Sequence, residues 1–434
     1  MLRILLIWLG KLIQLSSRIK GNAGSALPGL VVERLVPGWL AKTAKKLKHG
    51  AVVVTGTNGK TTTTKIIADV LTKLGHRVIV NRSGSNMSRG IISTLIEHSN
   101  WYGGLRGDIG VFEVDEAFVP DVTARLKPRA MVVLNLLRDQ LDRYGELDRA
   151  AELIKQGMPH AKLTLLNADD SLVTKLAQTQ DSRRVRFFGA SDRLRQRLPD
   201  DQSLLGKFKT EAKHIHNVHK PSSVTLTSAK QLEARQQLEF TYAGKIHQTV
   251  LPLDGIYNAY NAAAALAVCA ALKADFSKAS SYLSAVIPAF GRTERIELAD
   301  HKAVELLLVK NPAGFNQIIT TFLSRRPKLA ILMALNDKFA DGRDVSWIWD
   351  VDIEMLNGRD HEIITTGTRA ADLALRLKYA GVKTLSEDSL KRALEDFLAN
   401  LKPNETGYIV PTYTAMLALR RMLAKQADIR EIWR

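Results

Sequence analysis

The sequence predicts an α/β protein: a large, mostly parallel sheet covered by helices, then a smaller α/β domain. Three observations carry this. Between residues 50 and 190, short apolar β-branched runs alternate with helix-spaced ones, the rhythm of stacked βαβ units. The pattern breaks at "PAFGRTERIEL" (288–298) and then restarts. The chain has 434 residues, 45% of them hydrophobic, enough for two or three domains with sizeable cores.

In chain order, "AVVV" (51–54) reads as a buried strand and "TTTKIIADVLTKLG" as a helix stopped by Gly75. "RVIVN", "IGVFEV", "AMVVLNL", "KLTLLN" and "RVRFFG" supply further strands. Residues 191–250 are polar and basic, with short β-like pieces such as "SVTLTS" and "LEFTYAG", and read as an insertion or a peripheral antiparallel patch. "LDGIYNAYNAAAALAVCAALKA" is an Ala-rich helix. The second α/β unit has strands at "AVELLLV", "LAILMAL", "EIITTG" and "TGYIVP". The expected organisation is an N-terminal amphipathic, basic segment (1–45), a central domain (46–290, with the insertion at about 191–250) and a C-terminal domain (291–434).

Composition narrows the function. Cys269 is the only cysteine, which rules out an intrachain disulfide and a Cys-based zinc site and suits a reducing compartment. The net charge of +18 suits nucleic acid, an anionic membrane surface or a polyanionic substrate. No nucleic-acid-binding motif stands out, so nucleic acid ranks last. The start, "MLRILLIWLGKLIQLSSRIKG", has an apolar run far below the roughly 20 residues a spanning helix needs. "AGSA" is a poor cleavage site for a signal peptide. We read a retained amphipathic helix with Arg3, Lys11, Arg18 and Lys20, lying on an anionic membrane surface or packed on the domain, in a cytoplasmic protein.

"VTGTNGKTTTTK" (54–65) carries the central chemistry. Gly56 and Gly59 let backbone approach an anion, and a helix start offers free N–H groups to phosphate oxygens. Lys60 can reach β- and γ-phosphates and Thr61 can ligate Mg²⁺, with Thr57, Asn58, Gly59 and Thr62 completing the candidate ATP site. The glycine spacing, G-x-x-G-K-T, is shorter than the common P-loop. "FEVDEA" (112–117) places Glu113 and Glu116 after a strand, where one carboxylate can hold a metal. "NLLRDQLDRYG" (135–145) offers Asp139, Gln140 and Asp142. Asn258 and Asn261 in "YNAYNAAAA" read an adenine edge or cap a helix. Arg292 in "GRTER" is an Arg-bearing hinge, able to clamp a phosphate or to form a surface pair.

Together, in this order, these motifs resemble the Mur ligase superfamily, which uses ATP to turn a carboxylate into an acyl phosphate that an amine attacks. The resemblance implies that Glu113 holds Mg²⁺, that Asn261 with Asn258 contacts adenine, that Arg292 matches the family's "GR-x-E" arginine, and that "DQLD" replaces "DHLD". The carbamylated lysine cannot be placed, the C-terminal "DYAH" motif is absent with "VKNPAGFNQ" (309–317) in its place, and the N-terminal region is too short for a UDP-substrate domain. With "NRSGSNMSRGI", "LNDKFADGRDVSWIWDVDIE" and "YIVPTYTAML", the chain is similar from about Leu27 onward to the MurT branch. That branch implies a GatD-type glutaminase as partner, lipid II as substrate and amidation of the D-glutamate α-carboxylate. It also implies an acidic residue lent to the glutaminase from "DVSWIWD": Asp350, with Asp344 as runner-up. Competing readings are a folate-type ligase, a motor or regulatory P-loop ATPase, and a nucleic-acid-binding module.

The branch commonly carries a four-Cys zinc ribbon, for which this chain lacks the cysteines. His214, His216 and His219 in "HIHNVH" have no carboxylate or Cys framework and read as a polar surface strand. We predict that the purified protein holds no stoichiometric zinc. Elemental analysis finding about one zinc per chain would overturn this and point to that segment.

Overall fold

The computed structural model describes residues 2–19, 26–81, 85–137, 146–195, 222–232, 235–287, 292–324 and 326–424. Their contacts form two units, one built mainly from residues before 288 and one from residues after 291.

The first unit opens with helices α1 (Leu2–Ile19), α2 (Leu27–Leu35) and α3 (Trp39–Ala44). Then follow β1 (Ala51–Thr55), α4 (Lys60–Lys73), β2 (Val78–Val80), α5 (Ser88–Glu97), β3 (Ile109–Glu113), α6 (Val119–Leu126), β4 (Ala130–Val133) and α7 (Glu146–Gly157). The unit continues with β5 (Thr164–Asn167), α8 (Ser171–Leu176), β6 (Val185–Ala190), α9 (Asp192–Arg195), β7 (Val224–Leu232), β8 (Arg235–Tyr242), β9 (Lys245–Leu251), α10 (Ile256–Ala271) and α11 (Phe276–Ser281). The sheet order is β2-β3-β1-β4-β5-β6-β7-β8-β9. It is parallel from β2 to β7, with β8 and β9 antiparallel at the edge. The β-like pieces near 223–251 therefore extend the main sheet.

Helices cover both faces, so β1, β3 and β4 are buried on every residue and read as unbroken apolar runs. On one face, Ile66, Ile67, Val70 and Leu71 of α4 pack with the alanines of α10. Cys269 is fully buried there, and burial pushes its thiol up to about 12. The other face is covered by α1–α3 and α5–α8, with Ile7, Trp39, Leu40, Ile91 and Leu95 in the core. The order reverses around β1, so the crevice at the C-terminal ends of β3, β1 and β4 is the expected ligand position.

The second unit comprises β10 (Arg292–Glu297), β11 (Ala303–Leu307), α12 (Pro312–Ile318), β12 (Ala330–Ala334), β13 (Glu362–Thr366), α13 (Ala370–Tyr379), β14 (Leu385–Ser386), α14 (Leu390–Asn400), β15 (Thr406–Pro411) and α15 (Tyr413–Leu423). Its sheet runs β10-β11-β15-β12-β13-β14, parallel except for β10. "GRTER" was expected as a hinge; from Arg292 onward it is an edge strand paired with β11, because Ile296 is buried against Val304 and Leu306. Phe315, Ile318, Leu373 and Leu377 fill one core, and Ala393, Phe397, Leu419 and Leu423 the other.

One close approach fixes the N-terminal helices. Gly29 in α2 lies so near α5 that a Cβ would stand 1.8 Å from the Arg89 carbonyl oxygen, and its N–H donates to Ser93 Oγ at 2.8 Å. Backbone cannot yield there as a side chain can. We predict that Gly29→Ala costs about 2 kcal/mol, read as a lower melting temperature. An unchanged melting temperature would contradict this packing.

Candidate functional site

The loop between β1 and α4 stands in the crevice. Gly56 and Gly59 have φ of 125° and 86°, which side chains rarely adopt. A Cβ on Gly56 would also lie 2.9 Å from the backbone of Asn135. Asn135 clamps the loop: Thr57 N–H donates to its carbonyl at 3.0 Å, Asn58 N–H donates to its Oδ1 at 2.8 Å, and its Nδ2 donates to the Asn58 carbonyl at 3.0 Å. The first bond of α4 runs from Thr63 N–H to the Gly59 carbonyl at 2.8 Å. The amides of Lys60, Thr61 and Thr62 precede it, at the positive end of a 14-residue helix, where an anion fits. Thr57 and Thr62 are buried; Thr61 is partly accessible.

Lys60 is folded back over this loop. Its Nζ donates to the Gly56 carbonyl at 2.6 Å and pairs with Glu116 Oε1 at 3.1 Å. A charge held nearly buried at the mouth of a nest of amides is the partner an incoming phosphate requires. Glu113 closes β3 beside Val54. It is buried, its N–H donates to Asn81 Oδ1 at 2.9 Å, and Asn81 Nδ2 returns to the Glu113 carbonyl at 2.9 Å. No donor among the described residues reaches the Glu113 carboxylate. A buried carboxylate held by its backbone but lacking a donor suits a hard cation, so Glu113 and Thr61 fit Mg²⁺.

Asn261 supports the loop from α10. A Cβ on Gly59 would lie 2.4 Å from its Oδ1, which also accepts from Thr63 Oγ1 at 3.2 Å. Its Nδ2 donates to Asn258 Oδ1 at 3.2 Å, and Asn258 Nδ2 donates to the Asp254 carbonyl at 2.6 Å. Each amide keeps hydrogen-bonding capacity for a base. Next to them, Tyr260 donates to Asp169 Oδ2 at 2.7 Å; burial, with Asp169 beside it, pushes the phenol up.

In the second unit the acids of "DGRDVSWIWDVD" separate by environment. Asp341 accepts from the Thr414 N–H and hydroxyl, and Asp344 accepts from Ser346 N–H at 2.8 Å. Asp352 accepts from Asn316 Nδ2 at 3.2 Å, and its N–H donates to Asn316 Oδ1 at 2.8 Å. Burial raises the Asp352 carboxyl above its usual range. Asp350, half-buried at the end of a short 3₁₀ turn, has no partner among the described residues. Trp347 is buried against Phe315, because the turn points it into the core; Trp349 is the exposed one, edge-on to Tyr379. Arg376 lies beneath Trp349 and donates to the Ile348 and Val351 carbonyls, tying down both sides of Asp350.

The structure thus brings Thr57, Asn58, Gly59, Lys60, Thr61, Thr62, Glu113, Glu116, Asn258 and Asn261 together. Arg292 belongs to the second unit, on β10. Asp139, Gln140, Asp142 and the "HIHNVH" histidines lie outside the described residues. Sequence reasoning missed Asn135 and Asn81. Each stood inside a quoted motif, and asparagine just after a predicted strand was the available signal.

The chain's similarities agree with this geometry. Residues 54–269 match the Mur ligase middle domain and residues 308–416 the MurT ligase C-terminal family. The chain is 31% identical to the lipid II isoglutaminyl synthase (glutamine-hydrolyzing) subunit MurT of Streptococcus pneumoniae, over 94% of both chains. It is 32% identical to the subunit of the same name from Staphylococcus aureus (strain COL), over 87% of this chain and 88% of the relative. Among solved structures, MurF from Acinetobacter baumannii superposes with a TM-score of 0.70 at 16% identity, covering 93% of this chain and 81% of that one. Folylpolyglutamate synthase from Mycobacterium tuberculosis, solved with ADP and AMPPCP, gives 0.61 at 16% identity, covering 91% and 97%. These structural likenesses show the shared fold.

We predict that Lys60→Ala lowers nucleotide-dependent turnover at least about a hundredfold and leaves the circular dichroism spectrum unchanged. Wild-type turnover in that variant would remove the loop from the active site.

Proposed function

The chain belongs to the MurT family of Mur-type ATP-dependent ligases, and from that premise we propose that it amidates the α-carboxylate of D-glutamate in the lipid II stem peptide, giving D-isoglutamine for the cell wall. The observation that carries the reading is the loop 56–62, clamped by Asn135 and Asn261, with Glu113 ending the neighbouring strand β3, joined in one chain to a MurT-type C-terminal unit. A carboxylate resists ammonia because an ionised oxygen is a poor leaving group. Transfer of the γ-phosphoryl group of ATP to a carboxylate oxygen releases ADP and gives an acyl phosphate. Ammonia then attacks the carbonyl carbon, and phosphate leaves with its electron pair.

This chain's residues act on charge and position. The amides of Lys60, Thr61 and Thr62 hold phosphate oxygens, and Lys60 exchanges Glu116 for the transferring phosphoryl group. Glu113 and Thr61 hold Mg²⁺, which when bound neutralises phosphate charge. Asn258 and Asn261 read adenine, and Arg292 matches the family's "GR-x-E" arginine in the C-terminal domain, assigned as 291–434.

Ammonia comes from a GatD-type glutaminase, and the enzyme works at the cytoplasmic membrane face, where lipid II presents its stem peptide. Asp350 enters the partner's cleft and orients its histidine as the acid of a triad does. Its carboxylate, without a partner among the described residues and on a turn fixed by Arg376 and Trp347, supports this choice over Asp344, whose carboxylate already caps Ser346.

We predict that Asp350→Asn keeps the complex and ammonium-driven amidation but lowers glutamine-driven amidation at least about a hundredfold. Mass spectrometry of lipid II incubated with ATP and either nitrogen source reads this. Loss in Asp344→Asn instead would move the role there, and loss in neither variant would end the shared-triad idea.

A further inference from the structure

Helix α1 is apolar on two sides. Ile7 is fully buried, Leu6 and Gly10 are buried, and a Cβ on Gly10 would come within 2.9 Å of Ile96 in α5. The opposite side holds Leu5, Trp8, Leu12 and Leu15, which are 55%, 44%, 59% and 57% exposed. Their spacing of three, four and three residues makes one stripe along the helix. Leu9 lies beside the stripe, and Trp101 and Tyr102 extend it. Trp8 stands edge-on to Trp101, and its Nε1 donates to the Trp101 carbonyl at 2.9 Å. Continuous exposed apolar surface of this kind marks an interaction site.

Its border is cationic. Lys11 lies over the Trp101 ring at 5.5 Å and donates to the Glu97 carbonyl, with Arg106 close enough to bear on its charge. Lys46 donates to the Gly103 carbonyl, next to Tyr102. Residues 2–19 contain no acid. No helix among the described residues is long and apolar enough to cross a membrane. Leucines facing out, aromatic side chains at the edge and a lysine–arginine border match an interfacial helix lying in the plane of an anionic bilayer. A symmetric contact with a second copy would bring those cations together, which disfavours self-association.

We propose that the Leu5–Trp8–Leu12–Leu15 face of α1, with Trp101 and Tyr102, docks the enzyme on an anionic lipid surface, while the opposite face of the same helix fastens it to the catalytic unit. This deepens the functional reading above by naming the surface, and rests on it only for the membrane-borne substrate. Helix α1 is thus a rigid foot of the domain, so deleting it would also uncover Ile96.

The test keeps the full chain and changes only exposed positions. Wild type and Leu12→Glu/Leu15→Glu are sedimented with phosphatidylcholine vesicles containing about 30% phosphatidylglycerol, and with pure phosphatidylcholine. We expect wild type to bind the anionic vesicles, the double variant to bind at least about tenfold more weakly, and both to share one melting temperature and one ATP affinity. Equal binding by both forms, or no binding by wild type, overturns the proposal. So does a wild-type dimer in light scattering that the variant dissociates, which would give the face to a second copy. Amidation of detergent-solubilised lipid II is measured in parallel: inactivity of wild type there sinks the functional reading and leaves the vesicle result standing.

Discussion

The molecule depends on a peptide loop that must be bent, open and motionless at once. To cradle phosphate, the backbone after β1 needs glycine conformations at Gly56 and Gly59 and must leave the first amides of α4 without partners. Such a segment has little local stability of its own. Its rigidity comes from Asn135, after β4, and Asn261, on α10. Parallel βαβ topology makes this possible, because strands β3, β1 and β4 end side by side and deliver distant residues to one crevice. The sheet, the alanine-rich helix against it and the glycine spacing are parts of one requirement.

Legibility in the sequence followed the range of the interactions. Strands β1, β3, β4 and β12 are short, mainly apolar runs buried along their whole length, and that pattern is local. Lys60 and Glu113 were legible because a loop motif and a strand-end acid have short-range grammar. Asn135 and Asn81 were not, since their partners lie 77 and 32 residues away and only their place at a strand end marks them. The Lys60–Glu116 pair spans 56 residues and is likewise invisible in one dimension. The edge strand β10 was read as a hinge because its charges, Glu294, Arg295 and Glu297, mask a single buried residue, Ile296.

The block "DVSWIWD" shows how a short irregular turn defeats pattern reading. Its two tryptophans are two residues apart, and no helix or strand period tells which faces in. A 3₁₀ turn sends Trp347 into the core beside Phe315 and leaves Trp349 outside over Arg376. The buried ring anchors the turn and the exposed ring stays at the surface. The "NPAGFNQ" stretch joins this structure, because Asn316 holds Asp352 by side chain and backbone together. Three of the four acids are thereby used to shape the loop, and among the described residues Asp350 is the one without such a partner.

The N-terminal helix follows the same logic at the surface. A soluble helix ordinarily has one apolar face, which packs, and one polar face, which meets water. Helix α1 has an apolar inner face that locks against α5 through Gly10 and Ile96, and an apolar outer face bordered by Lys11 and Lys46. Packing uses the inner side, and the lipid docking proposed above would use the outer one. Because the inner face is fixed to the unit that carries the phosphate loop, whatever the outer face rests on sets the orientation of that loop as well.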